Sequence, residues 1–135
     1  MSIELWLLAA SIVLGFIHIF AQGQSMTVQR GLRYNAGPRD EPMPPLTGVA
    51  GRLERALRNF LESFAFFAAA VLMAQTTNIH NGLTVWGAWL YVAGRVAYLP
   101  LYGFGVPYIR SLAWNVATVG ILLVLGGVVY TAALR

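Results

Sequence analysis

The segment that decides the fold is residues 56–75, which read ALRNFLESFAFFAAAVLMAQ. Its second part, residues 64–74, is wholly apolar, whereas its first part carries several polar side chains. A helix needs about 20 mainly apolar residues to cross roughly 30 Å of hydrocarbon, and this segment has that length. Similar segments lie at residues 3–22, 83–101 and 112–134. Because open sheets cannot satisfy their backbone groups in lipid, the sequence predicts an all-α integral membrane protein, a four-transmembrane-helix bundle.

The composition also indicates a membrane protein. Apolar residues make up 58% of the 135 residues without counting the 14 glycines, and only 10% are charged. A soluble domain has about 45–50% apolar residues with glycine included and about 25% charged residues, so a soluble globular fold and intrinsic disorder are both excluded. The chain has no cysteine and two histidines, which excludes a disulfide framework and a thiolate metal site. We therefore expect no metal.

The first apolar segment is either a cleaved signal peptide or a retained helix. It carries Glu4 where a signal peptide has basic residues, and its apolar stretch exceeds the usual ~7–15 residues. We therefore expect a retained helix, within a single domain that spans residues 1–135.

Arginine is distributed unevenly between the connections. Six of the nine arginines lie between Gln22 and Asn59, Arg110 lies in the third connection, and the second connection has none. Since cytoplasmic loops are rich in basic residues, this pattern places the long loop at residues 23–54 and the third loop in the cytoplasm. The net charge of +4 in so apolar a chain indicates membrane orientation or a small anionic ligand, and no nucleic acid.

Polar residues recur at helical spacing in the second segment. Arg55, Asn59, Glu62 and Phe66 follow the spacing i, i+4, i+7 and i+11, so a helix places them in one stripe. Arg58 lies four residues before Glu62, a separation that supports an ion pair on a helix. Ionisable residues within a membrane span are costly without partners, so the stripe is a candidate site, whereas Phe66 is expected to serve packing.

The third segment repeats this spacing with Tyr91, Arg95, Tyr98 and Tyr102. A helix break at Pro100 would remove Tyr102 from the stripe. In both segments, therefore, polar side chains are expected to share one helix face.

Glu62 and Arg95 are predicted to meet. Counting at 1.5 Å per residue along two antiparallel helices places both at nearly the same depth, in the cytoplasmic half of the bilayer. Either the two charges only neutralise each other and lock the helices together, or both line a polar cavity open to the cytoplasm. We favour the cavity, because other polar groups such as Tyr98 converge at this depth. His18 is expected to form an interhelical hydrogen bond, with a place in the cavity as the alternative.

Two motifs in these segments resemble those of the MAPEG superfamily, the membrane-associated proteins in eicosanoid and glutathione metabolism. The first is Arg-x3-Asn-x2-Glu, formed by Arg55, Asn59 and Glu62. The second is Gly-Arg-Val-Ala at residues 94–97, with Tyr102 and Arg110-Ser111 following it. The string YNAGPRD at residues 34–40 is similar to that of bacterial members.

The resemblance implies a homotrimer of four-helix subunits, multi-pass in the bacterial inner (cell) membrane. It also implies glutathione as co-substrate between neighbouring subunits near the cytoplasmic face, with a lipophilic small molecule arriving through the lipid bilayer. The residues expected to bind glutathione are Arg55, Asn59, Glu62, Arg95, Arg30, Arg33 and Tyr98. Arg110 and Tyr102 are the expected catalytic residues.

Three functions are consistent with these observations. The leading hypothesis is a glutathione-dependent membrane transferase or peroxidase that acts on a lipophilic electrophile. The alternatives are a non-catalytic lipid- or glutathione-binding protein of the same fold and a small transporter. The bias of the polar groups toward the cytoplasmic side favours a cytoplasm-facing site over an exporter.

Overall fold

The protein is described by a computed structural model of all 135 residues. Every element of regular structure is a helix, which confirms the predicted all-α class. The helices, in chain order, are α1 Ile3–Arg30, α2 Leu32–Ala36, α3 Gly48–Thr77, α4 Gly82–Gly103 and α5 Ile109–Ala133. The four long helices form one bundle, in which α4 packs most extensively against α5, and α3 contacts α1, α4 and α5.

The helices extend further than the predicted membrane segments. The predicted loop at residues 23–54 is wrong at both of its ends, because α1 continues to Arg30 and α3 already begins at Gly48. Hydropathy marks the part of a helix that lies in lipid, while a helix can continue into water. Pro100 also does not break α4, which ends at Gly103. The proline lies in the last turn, and its carbonyl still accepts a 2.9 Å hydrogen bond from the Phe104 amide.

Three helices are long and apolar enough to cross a membrane, namely α1, α3 and α5. Helix α4 is not among them, because its tryptophans, tyrosines, glycines and Arg95 lower its mean hydropathy. Its 22 residues nevertheless give a length of about 33 Å at 1.5 Å per residue. A fourth span therefore stays a prediction, while the membrane character of the chain rests on the other three helices.

Glycines bring α4 and α5 into close contact. A Cβ atom added at Gly87 would lie 2.6 Å from the Gly120 carbonyl oxygen, and one at Gly94 would lie 2.8 Å from the Ala113 carbonyl oxygen. Small residues let two helix backbones approach in this way within membranes. This contact fixes α5, and with it Arg110, relative to the tyrosines of α4.

At the end of the bundle away from Arg110, a polar cluster joins α1 to α4. The Glu4 carboxylate is buried, and its Oε1 accepts a 2.6 Å hydrogen bond from Thr84 Oγ1 and lies 3.1 Å from His80 Nδ1. Asn81 caps α4 in a reciprocal arrangement with Thr84. This cluster was not predicted from the sequence.

Candidate functional site

The polar stripe of α3 lies along the outside of the protomer. Arg55 and Glu62 are exposed and Asn59 is half-buried. Phe66 is 68% exposed, so it does not pack inside the subunit, and its expected packing role stays a prediction. The predicted pair of Arg58 with Glu62 is also wrong, because Arg58 instead lies 3.8 Å from Glu54.

Arg95 is fully buried at the centre of the bundle. Its Nη1 donates a 2.8 Å hydrogen bond to Asn59 Oδ1, and its guanidinium lies 4.4 Å from the centre of the Tyr98 ring. The two ion pairs of the protein are elsewhere, so Arg95 does not contact Glu62 as predicted. Asn59 faces α4, whereas Glu62 is exposed on the outside of α3.

Donors outnumber acceptors around Arg95. Its Nε and Nη2 are buried without a hydrogen-bond partner in the chain, and so are both ring nitrogens of His18. The interhelical hydrogen bond predicted for His18 is therefore not formed; the ring stacks on Phe60 at 4.8 Å instead. The interior at this depth is thus electropositive, with no carboxylate to compensate Arg95.

Tyr102 connects α3, α4 and α5. Arg55 Nε donates a 3.1 Å hydrogen bond to the Tyr102 hydroxyl oxygen, and the guanidinium of Arg110 lies 4.7 Å from the centre of the same ring. Guanidinium groups over an aromatic face are attracted by its quadrupole. The tyrosine therefore holds two arginines from two different helices at one place.

A cavity of about 350 Å³ opens beside this tyrosine. It is lined by Asn59, Tyr98, Tyr102, Arg110, Ser111 and Trp114. The structure thus brings together four of the residues that the sequence predicted for the site. Trp114 was missed, although its position four residues after Arg110 places both side chains on one face of α5.

Arg30 and Arg33 do not reach this cavity within the protomer. Both line a separate cavity at the first loop, between α1 and residue 43. Arg52, which was not predicted as a site residue, donates a 2.9 Å hydrogen bond to the Gly103 carbonyl oxygen and thereby connects α3 to the end of α4. No group of three or more His, Cys, Asp or Glu side chains is arranged to hold a metal ion.

Three helices long and apolar enough to cross a membrane define this protein as a polytopic α-helical membrane protein, with a polar cavity beside Tyr102. A family model for the MAPEG family matches residues 6–130, nearly the whole length, and the chain belongs to that family. Comparisons with curated proteins and with solved structures gave no match. Membership associates the chain with a glutathione- or eicosanoid-related function at a membrane.

Proposed function

We propose that the protein binds glutathione in the cavity beside Tyr102 and joins its sulfur to a lipophilic electrophile that enters from the bilayer. The observation that carries this proposal is the placement of Tyr102 between Arg55 and Arg110. One guanidinium group on the cavity wall, that of Arg110, and a second bound to the adjacent Tyr102 hydroxyl, that of Arg55, suit a small anionic molecule with a reactive thiol.

The residues present fit the chemistry of glutathione. The tripeptide has two carboxylates, one ammonium group and one thiol. Arginine matches a carboxylate with two parallel hydrogen bonds, and the exposed Arg55 is free to do so on its terminal nitrogens. Asn59 and Tyr98 supply polar contacts on the cavity wall, and the exposed Glu62 can take the ammonium group. Arg95 does not line the cavity, but its hydrogen bond to Asn59 orients the Asn59 side chain, which does.

Arg110 and Tyr102 act on the sulfur. The thiolate is the reactive form of a thiol, and an adjacent guanidinium such as that of Arg110 stabilises it. The Tyr102 oxygen accepts a hydrogen bond from Arg55, so the hydroxyl hydrogen is free to be donated toward the cavity. As the new carbon–sulfur bond forms, the thiol proton goes to water and the leaving group of the electrophile departs with its electron pair.

A homotrimer completes this proposal. The cavity of about 350 Å³ lies at the lower end of the ~300–1,000 Å³ range of small-molecule sites. Glu62 and Phe66 face outward from a helix that crosses the membrane, and a charge exposed to lipid costs several kcal/mol. A neighbouring subunit would cover this face and add a second wall to the site. The arginines of loops one and three orient the site toward the cytoplasm of the inner membrane.

Calorimetric titration of the detergent-purified protein tests the proposal. Glutathione and S-methylglutathione should both bind, since the carboxylates are shared. The ultraviolet absorbance of a thiolate should then appear with bound glutathione at a lower pH than with free glutathione, and Arg110→Ala should move it back. Binding without that absorbance would indicate the non-catalytic binder, and no binding at all would refute the proposal.

A further inference from the structure

A second cavity of the protein lies apart from the Tyr102 site, at the first loop. We call it the loop-one cavity; it has a volume of about 590 Å³. It is lined by Arg30, Arg33, Tyr34, Gly37, Pro38, Arg39, Asp40, Glu41 and Met43. Three guanidinium groups and two carboxylates thus surround one space, which the proposed function does not use.

Hydrogen bonds within the loop hold the walls of this cavity in place. Arg30 Nη2 donates a 2.7 Å hydrogen bond to the Pro44 carbonyl oxygen, which ties the end of α1 to the far side of the loop. The Tyr34 hydroxyl donates a 3.2 Å hydrogen bond to the Glu41 carbonyl oxygen. The cavity is therefore preorganised, and a ligand would not have to order the loop first.

Free groups of both charges remain in the cavity. Arg33 is exposed and donates no hydrogen bond within the chain. Asp40 and Glu41 belong to neither of the two ion pairs of the protein. Arg39 is oriented by its hydrogen bonds to Asn35. A molecule that carries an anionic and a cationic group close together would match this arrangement better than a simple anion.

The exposed apolar side chains around the cavity indicate that its ligand is a lipid. Leu32 is 68% exposed in α2 and Met43 is exposed on the cavity wall. Val28, in the last turns of α1, is 87% exposed. These apolar side chains lie at or beyond the C-terminal end of α1, which is a candidate membrane span. Apolar side chains next to arginines at the end of a span are suited to the membrane interface, where acyl chains and headgroups meet.

We propose that the loop-one cavity binds the headgroup of a zwitterionic phospholipid that has a primary ammonium group, phosphatidylethanolamine. Arg33 and Arg39 hold the phosphodiester, and Asp40 with Glu41 hold the ammonium group. The exposed Leu32 and Met43 contact the start of the acyl chains. This proposal is independent of glutathione binding, because the two cavities share no lining residue.

Native mass spectrometry of the detergent-purified full chain can test it with dioleoyl phosphatidylethanolamine, phosphatidylcholine and phosphatidylglycerol as probes. The native chain should retain phosphatidylethanolamine in preference to the other two. Arg33→Gln with Arg39→Gln should lower that retention about tenfold, since two charge-assisted contacts are lost. Asp40→Asn with Glu41→Gln should instead remove the preference over phosphatidylglycerol. Arg58→Gln, an exposed arginine outside the cavity, is the matched control and should change nothing.

Arg33→Gln alone separates loss of binding from loss of folding, because Arg33 makes no hydrogen bond in the chain. Its helical circular dichroism should stay native while lipid retention falls. Equal retention of all three lipids, or native retention in the double arginine variant, would refute the proposal. Displacement of the lipid by inorganic phosphate would assign the cavity to soluble phosphate, and displacement by glutathione would make it part of the glutathione site; either outcome would overturn the lipid assignment.

Discussion

Arg95 of α4 and Asn59 of α3 are joined by a 2.8 Å hydrogen bond, and this is the only hydrogen bond that the buried guanidinium makes within the chain. The charge of Arg95 is thus supported by an amide oxygen and by the faces of Phe60 and Tyr98. Asn59 in turn presents its remaining surface to the cavity beside Tyr102. A buried residue of α4 therefore determines the orientation of a cavity residue of α3.

Asn59→Leu should destabilise the protein more than its size suggests. It leaves a buried arginine with no hydrogen-bond acceptor in the chain, and the free energy of unfolding should fall by about 1.5–3 kcal/mol. Adding Arg95→Leu should recover part of that loss, because the unpaired charge is then gone. Unfolding in mixed detergent micelles, followed by circular dichroism, measures both variants. Asn115→Leu, at an exposed position of α5, is the control, and an equal loss there would contradict the assignment.

Tyr102→Phe and Tyr102→Leu should separate the two functions of that side chain. The phenylalanine variant keeps the ring beneath Arg110 but removes the acceptor for Arg55 Nε. Glutathione affinity should then fall about fivefold, for the loss of roughly 1 kcal/mol, and the pH at which bound thiolate appears should rise slightly, because the hydroxyl no longer donates to the sulfur while Arg110 stays in place. The leucine variant also frees Arg110, so its thiolate should appear at higher pH. Identical pH titrations of the bound thiolate in the two variants would show that the Tyr102 ring does not position Arg110.

Gly120→Ala should be strongly destabilising, whereas Gly126→Ala on the same helix should not. A Cβ at Gly120 would lie 2.6 Å from the Tyr91 backbone nitrogen, while one at Gly126 would meet nothing within 4 Å. Overpacking of this kind costs about 1–3 kcal/mol, and backbone atoms cannot rotate away as side chains do. Thermal unfolding in detergent compares the two variants directly. Equal unfolding temperatures would show that α4 and α5 are not in close contact.

Phe66→Cys should form a disulfide between subunits when the membrane fraction is oxidised, whereas Ala93→Cys should not. The chain has no cysteine of its own, so any covalent dimer reports the introduced residue. Both positions are exposed, and each lies eleven residues from the turn between α3 and α4, which matches their depth. Non-reducing gel electrophoresis reads the result. Dimers from both variants would indicate random collision, and light scattering of the native protein should give a trimer.

The sequence predicted which residues belong to the site better than it predicted which of them contact one another. Helical periodicity placed Tyr91, Arg95 and Tyr98 on one buried face of α4, and the structure agrees. The same periodicity does not give the rotation of a helix about its axis relative to its neighbours. Counting residues predicted that Glu62 lies near the level of Arg95, yet it could not show that Asn59, three residues earlier, is the partner of Arg95.

Helical periodicity could not predict the geometry of the first loop. The Gly and Pro residues of the first loop indicated an irregular segment, but its cavity depends on hydrogen bonds from Arg30 and Tyr34 to backbone carbonyls. These hydrogen bonds from side chains to backbone carbonyls do not recur at a regular sequence spacing, so no sequence pattern predicts them. The contact of Glu4 with Thr84 had a detectable signal, because an acid at the start of an apolar helix needs a partner at the same membrane face.

That last contact constrains the order in which the chain can be assembled during synthesis. Glu4 enters the membrane with the first helix, but Thr84 and His80, the partners of its carboxylate, follow about 80 residues later in the chain. Until they emerge from the ribosome, the first helix carries an acid without its native partners. We expect nascent chains truncated before residue 80 to leave α1 accessible to aqueous thiol reagents at an introduced Ser2→Cys, and chains extended through α4 to protect it. The N-terminal helix would thus insert early, but the contacts of Glu4 would stabilise its position only after most of the protein has been synthesised.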